Sequence, residues 1–336
     1  MIELTAYITT FLLSFVTIKL VLLYAKKLQL IDTPNLRSTH VKTTPSGAGI
    51  GFILSVFISL YIFQQELFLD NWYIFVAIFM VYVIGILDDR HNAPPRAKFV
   101  IIATASLLLV LNGLEIDSLG TYFGVDVPLY YFALPFTIFA ITGFSNALNL
   151  IDGLDALAAS IAIVTLGTFA YIGSVYNDQL IVQLSLFTIA SLLAFLLFNW
   201  NPAKIFMGDS GSLSLGFIIA IVAVLSLKYI HPITVLYIAA IPILDTIVVM
   251  VRRLNQGKSP FKADKTHIHH VLLGFFKNNV KKTVVFMTLM QLMFCFFGYI
   301  LARHIANFSG GLLPFGMLVG FVILVVLSYM VFTRDE

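Results

Sequence analysis

Residues 206–212 read Phe-Met-Gly-Asp-Ser-Gly-Ser and set a lone carboxylate, Asp209, between glycines where one apolar stretch ends and the next begins. An acid within or beside a transmembrane span costs roughly 2.5–3.5 kcal/mol on insertion scales, which makes it a functional-site candidate by default. A metal ion or a phosphate–metal complex would give this charge a purpose. Its flanking glycines and serines can expose backbone N–H groups and hydroxyls at the start of a helix, an arrangement that favours anions.

Four further tracts carry the same kind of chemistry. Asp88 and Asp89 are adjacent at the end of an apolar run, and neighbouring carboxylates repel unless a cation or an unusual pKa relieves them. Magnesium suits such oxygen ligands, because it binds through one or two carboxylates and the substrate's own phosphates. Residues 146–155 bring Asn146, Asn149, Asp152 and Asp155 together. If helical, the two amides, and likewise the two acids, lie three apart and share a face, but Gly153 makes a turn equally compatible. Residues 198–204 add Asn199 and a helix-breaking Pro202 just before Asp209. The stretch from Asp245 through Arg252 and Arg253 ends in His267, His269 and His270. Three histidines within four residues invite zinc, yet no cysteine is near and the surrounding charges are basic. Imidazoles there are better placed to hydrogen-bond a phosphate or a sugar. A polar, basic loop over residues 32–49, with Arg37 and His40, has no specific signal of its own.

The elements that must position these groups are membrane helices. Of 336 residues, 60% are hydrophobic and 11% charged, with mean hydropathy +0.97, a composition that excludes an ordinary soluble domain and gives no footprint for nucleic acid. A helix needs about 20 apolar residues to cross the hydrocarbon core. Runs between charged or turn-rich breaks give eleven expected spans, near 3–24, 47–64, 72–87, 98–114, 128–146, 155–174, 179–198, 211–228, 232–251, 283–302 and 313–332. The first lacks the basic leader and small-residue cleavage site of a signal peptide and is expected to be a retained helix. With the N-terminus on the periplasmic or extracellular side, 17 of the 20 Lys and Arg fall in inner loops or at the C-terminus, as the positive-inside rule requires. The same topology places Asp88, Asp89, Asp152, Asp155, Asp209, Asp245 and Asp264 at the cytoplasmic face. The expected architecture is therefore all-α and polytopic, one domain over 1–336, with a site built from loops 25–46, 88–98, 146–155, 199–212 and 251–282. A transporter or lipid flippase would more often hold such charges near the bilayer midplane, where this chain has only Lys19 and Asp245. Cys295, the lone cysteine, excludes an internal disulfide.

In order along the chain, these tracts resemble the polyprenyl-phosphate N-acetylhexosamine-1-phosphate transferases, integral enzymes of the bacterial inner membrane. The resemblance implies attack of undecaprenyl phosphate on the sugar-linked phosphorus of a UDP-sugar, giving undecaprenyl-pyrophosphoryl-sugar and UMP, as the first step of O-antigen, teichoic acid or related surface-polymer synthesis. It implies Mg2+, with Mn2+ able to substitute, at Asp209 with Asn149. Asp88 and Asp89 match the family's acidic pair and Lys98 a phosphate-holding lysine. Asn146, Asp152, Asp155, Asn199, His40, Arg252, Arg253, His267, His269 and His270 match substrate-binding positions, and relatives are compatible with a homodimer. The 267–270 form points to UDP-GlcNAc, whereas residues 37–40 resemble relatives using UDP-FucNAc or UDP-QuiNAc; UDP-GalNAc is a further alternative. The tract of the phospho-MurNAc-pentapeptide branch is absent. Two departures concern backbone geometry: Ala156 stands where the family often has Gly, and Ala48 interrupts a Gly-Gly pair.

Overall fold

The computed structural model describes residues 2–33, 43–257, 267–305 and 312–332. The helices are α1 (Ile2–Tyr24), α2 (Ala48–Phe63), α3 (Gln65–Asp70), α4 (Trp72–His91), α5 (Pro95–Leu111), α6 (Ala133–Ile151), α7 (Leu157–Tyr176), α8 (Gln179–Asn199), α9 (Asp209–Ser226), α10 (Pro232–Ile238), α11 (Ala240–Asn255), α12 (Ile268–Phe275), α13 (Val280–Ile305) and α14 (Leu312–Phe332). Two short antiparallel hairpins complete the described residues: β1 (Ile31–Asp32) with β2 (Thr44–Pro45), and β3 (Ser118–Tyr122) with β4 (Val125–Pro128). The protein is thus nearly all-α, as expected.

Each of the eleven expected spans falls on helix, but the helices are not equal. Among the described residues, eight are long and apolar enough to cross a membrane, or nine if α10 and α11 form one broken span. At 16 and 17 residues, α2 and α5 are shorter than a full crossing. The apolar runs that located them, 47–64 and 98–114, were themselves among the shorter ones.

Helix α9 is the axis of the bundle. Its membrane-length window is 94% buried, against 28% for α1 and 17% for α14, so α1 and α14 present their apolar faces outward while α9 is surrounded by protein. Small residues allow this. Gly49 of α2 lies against the backbone of Gly211, and Gly85 of α4 against that of Ser210; a Cβ at either glycine would overlap main-chain atoms. Close backbone approach through small residues is how membrane helices gain packing where lipid removes the hydrophobic drive. Ser145 of α6 adds an Oγ–H bond of 2.8 Å to the Leu213 carbonyl.

The chain breaks between α10 and α11 with an 88° bend. A break inside a bundle frees backbone groups that must be satisfied internally. Gln291 of α13 does so from both ends: its Nε2 donates to the Ile238 carbonyl at 2.6 Å and its Oε1 accepts from Ile241 N–H at 3.2 Å. The bend directs α11, with Asp245, toward the end of the bundle where the polar tracts collect. Replacing Gln291 with Leu at this fully buried position would strip the Ile241 N–H of its acceptor and leave the Ile238 carbonyl only the longer contacts from Cys295 (3.4 Å) and Thr165 (3.5 Å), and we expect a loss of about 1–3 kcal/mol, read as a lowered thermal unfolding midpoint in detergent.

Candidate active site

Five helix ends and two turns meet in one polar cavity of about 660 Å3, whose walls include Asp88, Asp89, Asn149, Asp152, Asp155, Asn199, Asp209 and His270. The end of α4 is set by Asn92 in the left-handed region, an accessible state for Asn, and α5 restarts with Pro95 in its first turn. This places Lys98, on the first turns of α5, against the end of α4. Its Nζ donates to Asp88 Oδ2 at 3.0 Å and to Asp209 Oδ2 at 2.7 Å, so one ammonium bridges acids 121 residues apart in the chain.

Asp89 takes a different part. Its Oδ1 accepts the Asp209 N–H at 2.6 Å, and its Oδ2 accepts both the N–H (3.1 Å) and the hydroxyl of Ser210. The carboxylate therefore caps α9 from another helix, satisfying donors that a helix leaves free at its N-terminus with a charge its dipole favours. On the other side, the Phe206 and Met207 carbonyls receive the N–H groups of Ala48 (3.0 Å) and Gly49 (2.9 Å). The 206–212 tract is thus fastened to α2 and α4 before Asp209 meets Lys98. Asn149 accepts the Ser212 hydroxyl at 2.8 Å.

Residues 152–156 form a turn, not a continued helix, so Asp152 and Asp155 do not share a helical face as the helical alternative had them. Asp155 Oδ2 accepts from Asn201 Nδ2 (2.7 Å) and Ala203 N–H (3.0 Å). Asn199 spends both ends of its amide, accepting from Ala156 N–H at 2.7 Å and donating to the Ile205 carbonyl at 2.9 Å. Asp152 stays in the cavity wall with its pKa well above the carboxylate range, through enclosure first and then the nearby Asp209, Asp155 and Asp89.

The remaining expected positions separate. His270 reaches the cavity. The buried His269 ring fills the space over Gly153, where a Cβ would strike its Nε2, and burial lowers its pKa to about 3. His267 bonds Asp245 instead. Arg252 and Arg253 are buried on α11 and do not line the cavity. Asn146, one turn of α6 before Asn149, lines a separate apolar cavity of about 830 Å3 with Phe99, Phe136 and Phe144. His40 lies outside the described residues. No group of three or more His, Cys, Asp or Glu side chains could hold a metal by itself among the described residues. Sequence reading did not single out Asn201, whose amide holds Asp155; its position in the same turn as Asn199 was the available signal.

A helical membrane bundle with a carboxylate-rich cavity at one end, built at the N-terminus of a buried helix, is the kind of site that handles phosphates at a membrane surface. Residues 71–227 match the model of Glycosyl transferase family 4. The chain is 36% identical over 281 residues to a probable undecaprenyl-phosphate N-acetylglucosaminyl 1-phosphate transferase of Bacillus subtilis (strain 168), covering 80% of this chain and 77% of the relative. It is 32% identical to undecaprenyl-phosphate alpha-N-acetylglucosaminyl 1-phosphate transferases of Yersinia pestis, over 80% of this chain and 76% of that one, and of Escherichia coli (strain K12), over 74% and 70%. The chain belongs to the polyprenyl-phosphate N-acetylhexosamine-1-phosphate transferase family, and it is a multi-pass membrane protein.

The departure at residue 156 now has a physical reading. Ala156 caps α7 with φ +67°, a conformation that costs an L-residue roughly 1–2 kcal/mol and glycine little. Ala156→Gly relieves that strain and gives up one buried methyl, so we expect stability within about 1 kcal/mol of the parent. Ala156→Val adds a β-branch at a position that is 2% exposed and should cost about 2 kcal/mol or more. Thermal unfolding of the two variants side by side checks this.

Proposed function

We propose that this protein transfers a sugar-1-phosphate, GlcNAc-1-phosphate first among the alternatives, from a UDP-sugar to undecaprenyl phosphate at the cytoplasmic face of the bacterial inner membrane. The observation that carries the reading is the Lys98 ammonium shared by Asp88 and Asp209 at the N-terminus of α9. Phosphoryl transfer asks for in-line positioning and charge neutralisation more than covalent chemistry from the protein. An acceptor oxygen of the lipid phosphate attacks the sugar-linked phosphorus, the bond to the bridging oxygen breaks, and UMP leaves with that oxygen. The lipid phosphate, with a second pKa near 6, is already largely dianionic at neutral pH, so a general base is a minor need and Asp88 serves better by orienting Lys98. Asp89, with both oxygens engaged, acts by holding Asp209 in place.

Mg2+, or Mn2+ in its stead, fits the donor set: Asp88, Asp89, Asp152, Asp155 and Asp209 face one cavity, the pKa of Asp152 is driven upward by enclosure and by that negative field, and a hard cation completed by substrate phosphates needs only one or two protein oxygens. Asp209 and Asn149 would hold it, and it would supply neutralisation of the pyrophosphate charge. The apolar cavity beside Asn146 supports a lipid substrate, because one turn of α6 separates it from Asn149 in the polar cavity, a rise of about 4.5 Å. The distribution of Lys and Arg favours eleven spans with the N-terminus outside, the C-terminus inside and the polar cavity facing the cytoplasm. The product would start O-antigen, teichoic acid or a related polymer. UDP-FucNAc, UDP-QuiNAc and UDP-GalNAc are the alternative donors, and a homodimer is compatible with this reading.

Two measurements test it. Detergent-purified protein given undecaprenyl phosphate and a panel of UDP-sugars should release UMP in a lipid-dependent manner, stop on EDTA and recover with Mg2+, and Asp209→Asn should lower the rate at least about 100-fold with unchanged membrane insertion. Absence of UMP release with every sugar from folded protein would reject the reaction. Gly143 borders the apolar cavity with no atom within 4 Å of the position a Cβ would take. Gly143→Phe should therefore raise the KM for the polyprenyl phosphate about tenfold, the loss of roughly 1.4 kcal/mol, while leaving that for the UDP-sugar unchanged.

A further inference from the structure

The histidine segment is anchored by a residue outside the polar cavity. Asp245 sits inside α11 and is fully buried, and a buried charge is tolerated only when its lone pairs are engaged. Both of its oxygens are. Oδ2 lies 2.6 Å from His267 Nδ1, and Oδ1 accepts the backbone N–H of Ile268 at 2.5 Å. His267 is the N-cap residue of α12, yet its own side chain makes no capping bond. The acid on α11 replaces it, capping α12 from a neighbouring helix and fixing the imidazole in the same contact. A carboxylate oxygen accepts in this contact, so Nδ1 carries its proton.

The other two histidines take their places from that anchor. The rings of His267 and His269 stack at 5.6 Å, and those of His269 and His270 lie 4.3 Å apart. Among the described residues His269 has no hydrogen-bond partner on either nitrogen, and its ring is packed between its neighbours and the Gly153 turn. Only His270 reaches the polar cavity. Of three histidines close in sequence, one is tethered, one is a spacer and one faces the site.

We propose that Asp245 is a positioning residue for substrate binding: acting through His267 and the Ile268 N–H, it docks α12 against the 152–156 turn and so aims His270 at the phosphate or sugar portion of the nucleotide-sugar. This rests on the transferase reading above. Asp245 touches no reacting atom, so its removal alters binding of the donor more than the chemical step. In Asp245→Asn the amide oxygen can still cap Ile268, but the amide nitrogen now faces Nδ1 and requires the other tautomer of His267. The orienting bond is changed at nearly constant shape.

The experiment measures steady-state UMP release for Asp245→Asn, His267→Gln and the double variant, alongside the 15N spectrum of histidine-labelled protein. The expected result is a KM for the UDP-sugar raised about tenfold or more in Asp245→Asn, the scale of losing a partner that orients a functional imidazole, with kcat within about twofold. The double variant should lose no more than His267→Gln alone, because the two residues act as one unit. Unchanged KM, a fall confined to kcat, or additive losses in the double variant would each overturn the proposal. The spectrum gives a readout independent of turnover. The resonances that disappear in His267→Gln should show an Nδ1–H ring in the parent and an Nε2–H ring in Asp245→Asn, and a parent ring protonated only at Nε2 overturns the anchor even if no UDP-sugar is turned over. Failure of the parent to release UMP while the tautomer result holds would reject the transferase reading and leave the anchor standing. Should Asp245→Asn fail to fold, the parent spectrum and the KM of His267→Gln still decide, since an unchanged KM there removes the group through which Asp245 acts.

Discussion

The cap that Asp89 places on α9 is the interaction on which the site depends. A helix that is almost wholly buried in protein begins at an acid, and its first N–H groups have no carbonyl of their own to meet. Asp89 meets those of Asp209 and Ser210 and the Ser210 hydroxyl together. That contact is possible only because Gly85, one turn before the acidic pair, lets α4 pass over the Ser210 backbone. The cap and the glycine are one device. The glycine brings the helices near enough for the carboxylate to reach, and the carboxylate compensates the donors that close packing would otherwise strand in a dry environment. Once α9 is held, the Asp209 side chain has a fixed origin, and Lys98 can bridge it to Asp88.

This arrangement divides residues of similar type by what their polar atoms already do. Asp89, Asp155, Asp245 and Asn199 are committed to main-chain or side-chain donors and acceptors and hold the walls together. Asp88 and Asp209 share a cation, and Asp152 keeps a raised pKa within the cavity. Adjacent Asp88 and Asp89 thus belong to different groups, although the chain gives them the same identity and neighbourhood. A helix explains the split: consecutive residues point about 100° apart, so one carboxylate turns to α5 and the cavity while the other turns to the start of α9.

How much of this was legible in the sequence depends on the same division. Apolar runs located the helices, because membrane insertion is decided mostly by local composition. The polar tracts identified the end of the bundle where chemistry is concentrated, since acids and amides beside apolar spans are too costly to be idle. What could not be read was commitment. Nothing local in Asn199 shows that both ends of its amide are spent 43 and 6 residues away, and nothing in Asn146 shows that it faces an apolar cavity while Asn149, three residues on, faces a polar one. The limited lengths of α2 and α5 were legible, because the apolar runs 47–64 and 98–114 are scarcely longer than the helices they became. The substitution at Ala156 was visible as a departure, but its meaning required the sign of φ.

The placement of both cavities along α6 gives a reason for the site to stand at a helix end and not within the bundle. On the proposed transfer, a water-borne nucleotide and a membrane-borne phosphate need contact surfaces of opposite polarity that meet at one point. Here Asn146 and Asn149, one turn apart, mark that meeting. The amide on the apolar side carries no charge and is tolerable beside phenylalanines, whereas Asp88, Asp89, Asp152, Asp155 and Asp209 all lie at or beyond the last turn of a helix or at the first. The buried α9 starts at the same place, with the positive end of its dipole already met by the Asp89 carboxylate.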